Sequence, residues 1–294
     1  MIFLAMVKRF NNAEVKGLTI LILYLRKKIN SLQPTRHYYL FKVQYLGYRL
    51  HGWQRQPGLK TVESLIKKTF KFILPERKFK ILGSSRTDAM ASANESAFEL
   101  FLYDDPISDF PEFLFLLNKN LPPDIKVLKM QVVSEQFNII QHSKQKEYLY
   151  LFSYGSKNHP FCAPLITNIL EDLDIELMQQ GAKLFEGTNN FKNYCVSSSG
   201  NNLFERDLVH SEIAVNTIYT ANFFPETSYI FKVKGSGFLR YQIRLMMGAL
   251  FQLGKGKLSI DDIKGSLLAE TDKQMKNIAP ASGLILNKIE FDKV

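Results

Sequence analysis

From His37 onward the chain runs twice through one order of segments, strand, helix, strand, strand, helix, strand, and few folds accept that order. Tyr38-Tyr39-Leu40-Phe41-Lys42-Val43-Gln44-Tyr45 is rich in aromatic and β-branched residues and stops at Gly47, which reads as a strand and a turn. Thr61, a suitable N-cap, opens a helical spacing of Val62, Leu65, Ile66, Phe70 and Ile73. Phe79 to Leu82 and Ala97 to Tyr103 read as strands, Phe110 to Asn118 as a helix stopped by Leu121-Pro122-Pro123, and Ile125 to Val133 as a strand. The second half repeats the order. A strand from Lys146 to Tyr154 leads to a helix carrying Leu173, Leu177, Ala182 and Leu184. Strands follow from Leu208 to Val215 and Tyr229 to Gly235, then an amphipathic helix from Leu239 to Leu253 and a last strand from Ile285 to Phe291. Each half is the split βαβ of a ferredoxin-like unit. The expected fold class is α+β: two ferredoxin-like domains, residues 37–143 and 144–294, sharing a mostly antiparallel sheet with a basic cleft between them.

Residues 1–36 read as an N-terminal extension, an added helix or a start placed too far upstream, and carry no assigned function. Their apolar run, Leu18 to Leu25, already contains Thr19 and Tyr24 and is far short of the ~18 residues a spanning helix needs, so no membrane association is expected. Cys162 and Cys195 make no disulfide framework, and with five scattered His they show no metal-binding spacing; a reducing, cytoplasmic setting follows. The 38 Lys+Arg against 28 Asp+Glu leave a charge of 38 − 28 = +10. Such a surplus suits a polyanion such as RNA or DNA, or a basic surface with no partner, and charge alone leaves both open.

The loop Gly83-Ser84-Ser85-Arg86-Thr87-Asp88-Ala89 lies between two short strands, where a rigid scaffold holds an exposed carboxylate. An Asp two residues after an Arg is, alone, an ordinary surface pair. Two other segments raise its interest. His51-Gly52-Trp53-Gln54-Arg55-Gln56 sets the single Trp among polar and basic residues. Arg244 stands among Ile243, Leu245, Met246 and Met247, where a guanidinium must either reach the surface or meet a carboxylate.

These segments, with others in the same order, resemble the TruA type of tRNA pseudouridine synthase and its eukaryotic Pus relatives, from about Tyr39 to Phe291. Tyr45-Leu46-Gly47 with His51-Gly52-Trp53-Gln54 is similar to the family's opening signature, and Arg86-Thr87-Asp88-Ala89 to its catalytic loop. Leu117-Asn118 through Leu121-Pro122-Pro123-Asp124-Ile125, Lys146-Glu147-Tyr148-Leu149-Tyr150, Phe185 to Phe191, Phe238 to Gly248 and Gly283-Leu284-Ile285-Leu286 resemble five further tags. Each tag is weak alone; seven in order are specific.

The resemblance implies an isomerase that converts uridine to pseudouridine in tRNA, in the anticodon stem-loop, with tRNA as partner, a homodimeric assembly, and neither metal nor cofactor, since the reaction is redox-neutral. Asp88 matches the nucleophile, Arg244 the guanidinium that favours its ionised form, and Tyr148 the tyrosine that stacks on the base and takes part in proton transfer. Leu286 matches the apolar residue across the base pocket. Arg86 would hold RNA or the flipped nucleotide, with Trp53, Arg55 and Arg240 as further substrate-binding residues. Arg49, Lys60, Lys67, Lys68, Lys78, Lys144 and Lys146 would line the cleft.

The departures cluster around the loop. Ser85 and Met90 stand where the family has Gly, Ser92 and Asn189 where it has His, and Ile140 where it often has Arg. Met90 therefore implies a rearranged loop or a different fit to RNA. The runner-up reading is a weak or inactive paralogue that binds tRNA as a chaperone. A ferredoxin-like RNA-binding protein unrelated to the synthases would display aromatic RNA-binding strands of clear spacing, and none is evident.

Overall fold

The computed structural model describes residues 35–196, 203–268 and 274–292. The N-terminal segment through residue 34 and the Ser197 to Asn202 loop lie outside the described residues.

The protein is mixed α/β, built on one large, mostly antiparallel sheet of ten strands. Its first half contributes β1 (Arg36–Tyr45), α1 (Val62–Ile73), β2 (Phe79–Gly83), β3 (Ser92–Tyr103), α2 (Phe110–Asn120) and β4 (Ile125–Val132). Its second half contributes β5 (Ser143–Tyr154), β6 (Thr167–Ile169), α3 (Ile175–Lys183), β7 (Gly187–Asn190), β8 (Glu205–Val215), β9 (Tyr229–Gly235), α4 (Gln242–Gly254), α5 (Ile260–Ser266) and β10 (Leu284–Phe291). The strands adjoin in the order β4-β1-β3-β10-β5-β9-β8-β7, with β2 on β3 and β6 on β5.

The seam of the sheet is β10, the last strand, seated in its middle. It runs parallel to β3, opposing Leu286 to Ala93, and antiparallel to β5, opposing Leu286 to Tyr148. Strand alternation then separates two faces. Phe41, Val43, Phe98 and Leu100 pack under α1 and α2, while Tyr150, Phe152, Phe231 and Val233 pack under α3 and α4. Tyr148 touches both clusters, so helices α1 to α4 cover one face and their two pairs meet above β10. The opposite face carries two smaller clusters, one on Leu149, Leu151 and Ile285, the other on Leu40, Ala97 and Phe137.

α1 forms as its spacing predicts. Val62, Ile66 and Phe70 are buried, and Thr61 caps the helix by accepting the Ser64 N–H at 3.3 Å while Ser64 Oγ accepts the Thr61 N–H at 3.0 Å. α4 differs from expectation in two ways. It begins at Gln242 rather than Leu239, because Tyr241 takes a left-handed φ of 62°. It is also buried nearly all round rather than amphipathic, being enclosed by the sheet, by α3 and by the segment from Asn277 to Ala279. β3 starts at Ser92, five residues earlier than the apolar run, because β10 and β1 pair with its polar first half. Helix α5 and the short strands β6 and β7 have no counterpart in the sequence reading.

Candidate active site

The Arg86-Thr87-Asp88 loop leaves β2 and is tied down from several sides. Ser84 N–H donates to Ala97 O at 3.0 Å, Trp53 N–H to Thr87 O at 3.1 Å, and Met90 N–H to Leu50 O at 2.9 Å. The Tyr45 and Thr87 hydroxyls bond at 2.8 Å. Gly52 makes this possible. It sits at φ 81°, and a Cβ there would lie 2.6 Å from Thr87 O, so only glycine lets the loop backbone lie this close.

Asp88 faces the start of α4. Its Oδ2 accepts from Arg244 Nη1 at 2.9 Å, with the two side chains 24 % and 15 % exposed. Arg244 is held at two further points: Nε donates to Ala279 O at 2.7 Å, and the guanidinium carbon lies 5.1 Å from the Tyr241 ring centroid. The arginine in the apolar helix therefore meets a carboxylate from the other half of the chain. Gly248, one turn further along α4, brings the Ala279 carbonyl within reach, since a Cβ there would lie 1.8 Å from Asn277 O.

Tyr148 stands beside this pair on β5, partly buried, with its ring edge-on to Phe238 at 5.2 Å. Burial pushes its phenol up to about 12, with Ser85 opposing the shift and the Asp88 charge reinforcing it. At neutral pH it is thus a neutral hydroxyl able to give a proton. Leu286, opposite Tyr148 in register, is fully buried and lies at the seam next to both helical clusters.

Trp53 requires correction as a substrate-contacting residue. It is 2 % exposed and packs against Tyr45 and Phe98, because its ring fills the first-half core beneath the loop while only its polar neighbours reach solvent. Arg86, Arg55 and Arg240 are all exposed. Arg86 Nη1 lies 3.5 Å from Gln54 Oε1, and the Arg240 guanidinium carbon lies over the Tyr241 ring, 5.2 Å from its centroid. Among the other basic candidates, Arg49 pairs with Asp124, Lys67 with Glu63 and Lys144 with Asp292, which leaves those three less available to a polyanion.

Of the departures from the family pattern, Met90, Ser92 and Asn189 have a local account, whereas nothing in the structure explains Ser85, which is buried, or Ile140, which is 57 % exposed. Met90 takes φ 68°, a left-handed backbone angle that glycine adopts freely and methionine resists. Ser92 is buried and accepts the Gly47 N–H at 2.9 Å. Asn189 Nδ2 donates to Glu186 O at 3.0 Å, closing the turn after α3. Sequence reading missed Tyr45, Thr87, Ala279 and Gly248 as supports of the site; all but Ala279 lay inside recognisable tags. No cluster of three or more metal-ligating side chains occurs among the described residues, and no helix among them is long and apolar enough to cross a membrane.

Fold and site together define the class: a mixed α/β protein with a guanidinium-held carboxylate at the seam of one long sheet. Residues 182–292 match the family model described as tRNA pseudouridine synthase. The chain is 34 % identical over 251 residues to a tRNA pseudouridine synthase A of Staphylococcus carnosus, covering 85 % of this chain and 89 % of that protein. It is 30 % identical to one of Acetivibrio thermocellus over 250 residues, 85 % and 97 % of the two chains, and 29 % identical to one of Dictyoglomus thermophilum over 250 residues, 85 % and 98 %. The chain belongs to the TruA family of tRNA pseudouridine synthases, which are isomerases.

Proposed function

We propose that the protein isomerises uridine to pseudouridine in the anticodon stem-loop of tRNA, with Asp88 as nucleophile. The observation that carries this reading is the 2.9 Å contact between Asp88 and Arg244, made across 156 residues of chain. In the reaction the bond between N1 and the ribose C1′ breaks and the C5–C1′ bond forms. C5 loses a proton, N1 gains one, and composition is unchanged. Asp88 supplies the electron pair that frees the base, and Arg244 holds its carboxylate through the 2.9 Å contact. Tyr148 stacks on the base and supplies or relays a proton as a neutral phenol, with Leu286 fully buried behind it at the seam. Arg86, Arg55 and Arg240, exposed near the loop and the α4 entrance, take the phosphates and hold the nucleotide out of its stack, a step costing a few kcal/mol.

The same reading makes residues 37–143 and 144–294 two ferredoxin-like domains. Their strand orders, β4-β1-β3-β2 and β10-β5-β9-β8, support it, and the cleft between the helix pairs is the basic site of tRNA entry. It further makes the protein a cytoplasmic homodimer in which one tRNA spans two subunits. The test is incubation of unmodified tRNA transcripts with the protein, followed by chemical labelling and sequencing of pseudouridine. New modification in the anticodon arm that vanishes in Asp88→Ala is expected. Modification that survives Asp88→Ala would remove the nucleophile from this account, and tRNA binding without conversion would favour the chaperone reading instead.

A further inference from the structure

Tyr241 is one of four non-glycine residues with positive φ among those described, and like Met90 it stands beside the Asp88–Arg244 pair. A bulky residue holds a left-handed backbone only where its surroundings insist on it. The angle has two consequences. It starts α4, since the Tyr241 carbonyl accepts the Leu245 N–H at 2.9 Å. It also turns the ring to lie between two guanidinium groups, with Arg244 at 5.1 Å and Arg240 at 5.2 Å from its centroid. Helix initiation needs only the backbone, and a glycine would supply that without strain. The ring is a separate feature.

Arg244 reaches Asp88 through Nη1 and Ala279 through Nε, both contacts on the guanidinium edge. Two edge contacts leave the planar group free to tilt. The Tyr241 ring, with the guanidinium carbon over it at 5.1 Å, restricts that freedom through a cation–π attraction that strengthens as water is excluded. We propose that Tyr241 is a positioning residue for the reaction: its ring fixes the plane of Arg244 so that Nη1 stays on Asp88 as the base is bound. The proposal rests on the reading of Asp88 as nucleophile.

The test compares Tyr241→Gly, which keeps the backbone angle and deletes the ring, with Tyr241→Phe, which keeps the ring face. Single-turnover conversion of tRNA at saturating enzyme is measured alongside the tRNA Kd. Tyr241→Gly is expected to slow conversion about 5–30-fold while changing Kd less than about threefold, and Tyr241→Phe to restore most of the rate. In an Arg244→Lys background, whose ammonium lacks the planar face, Tyr241→Gly should cost little more. A wild-type rate in Tyr241→Gly, a loss confined to Kd, or independent multiplicative losses in the double variant would each overturn the assignment. Asp88→Ala, assayed in parallel, tests the nucleophile separately: conversion there refutes that reading whatever the Tyr241 variants show.

Discussion

A methionine in the left-handed region costs about 1–2 kcal/mol against the right-handed one, and Met90 holds φ 68° two residues from Asp88. Its side chain is 39 % exposed, so trimming it removes only part of a methionine's burial. Met90→Gly removes the strain and pays back part of the gain through the looser unfolded chain, leaving about 0.5–1 kcal/mol in favour of the variant. Thermal unfolding should show a midpoint raised by about 1–3 °C. A midpoint that falls would mean that the side chain contributes contacts exceeding its backbone cost. Gly52→Ala acts on the same loop in the opposite direction. The new Cβ meets Thr87 O at 2.6 Å with a left-handed angle to maintain, so the variant should lose about 2–4 kcal/mol and most of its activity. Chemical denaturation and the conversion assay read the two losses, and retention of both would show that the loop relaxes freely.

Among the elements, α1 rests on local chemistry and is the simplest to perturb. Thr61→Ala deletes half of its capping box and leaves Val62, Ile66 and Phe70 in place, so denaturant unfolding should report a loss of about 1 kcal/mol with an unchanged slope. The same locality made α1 legible from sequence, because its period and cap occupy one stretch of chain. α4 was legible as a helix but not in its start or its burial. Both depend on distant groups, the Arg244 contacts that turn Tyr241 and the Asn277 backbone that crosses Gly248. The polar start of β3 was invisible for a like reason, since it becomes a strand by pairing with β10, far along the chain. Within the site, an arginine among apolar residues announced that it must either reach the surface or meet a carboxylate. Ala279 announced nothing, because it contributes a backbone carbonyl, and Trp53 misled because polar neighbours made a core ring read as a surface one.

At the scale of the molecule, β10 ties the two halves into one sheet, so they should unfold together, and buried phenols provide a way to measure this. Tyr45, Tyr148, Tyr150 and Tyr194 all have their pKa raised from 10.0 by burial, Tyr148 to about 12. Above pH 10 the unfolded chain loses these protons while the folded chain keeps them. Unfolded protein therefore binds fewer protons, and stability falls as pH rises, by at most about 1.4 kcal/mol per pH unit for each tyrosine. The single Trp, Trp53, lies in the first-half core and reports that half by fluorescence, whereas Tyr194 lies in the second-half core, bonded to Ser266 Oγ at 2.6 Å. Tyr194→Phe removes one titrating group from the second half alone. If β10 couples the halves, the alkaline fall in stability monitored at Trp53 becomes shallower in this variant, and fluorescence and far-UV circular dichroism follow one curve. If the halves are energetically separate, the Trp53 transition keeps its pH dependence and the two probes part, and the seam through β10 would then position the site without sharing the stability of the two halves.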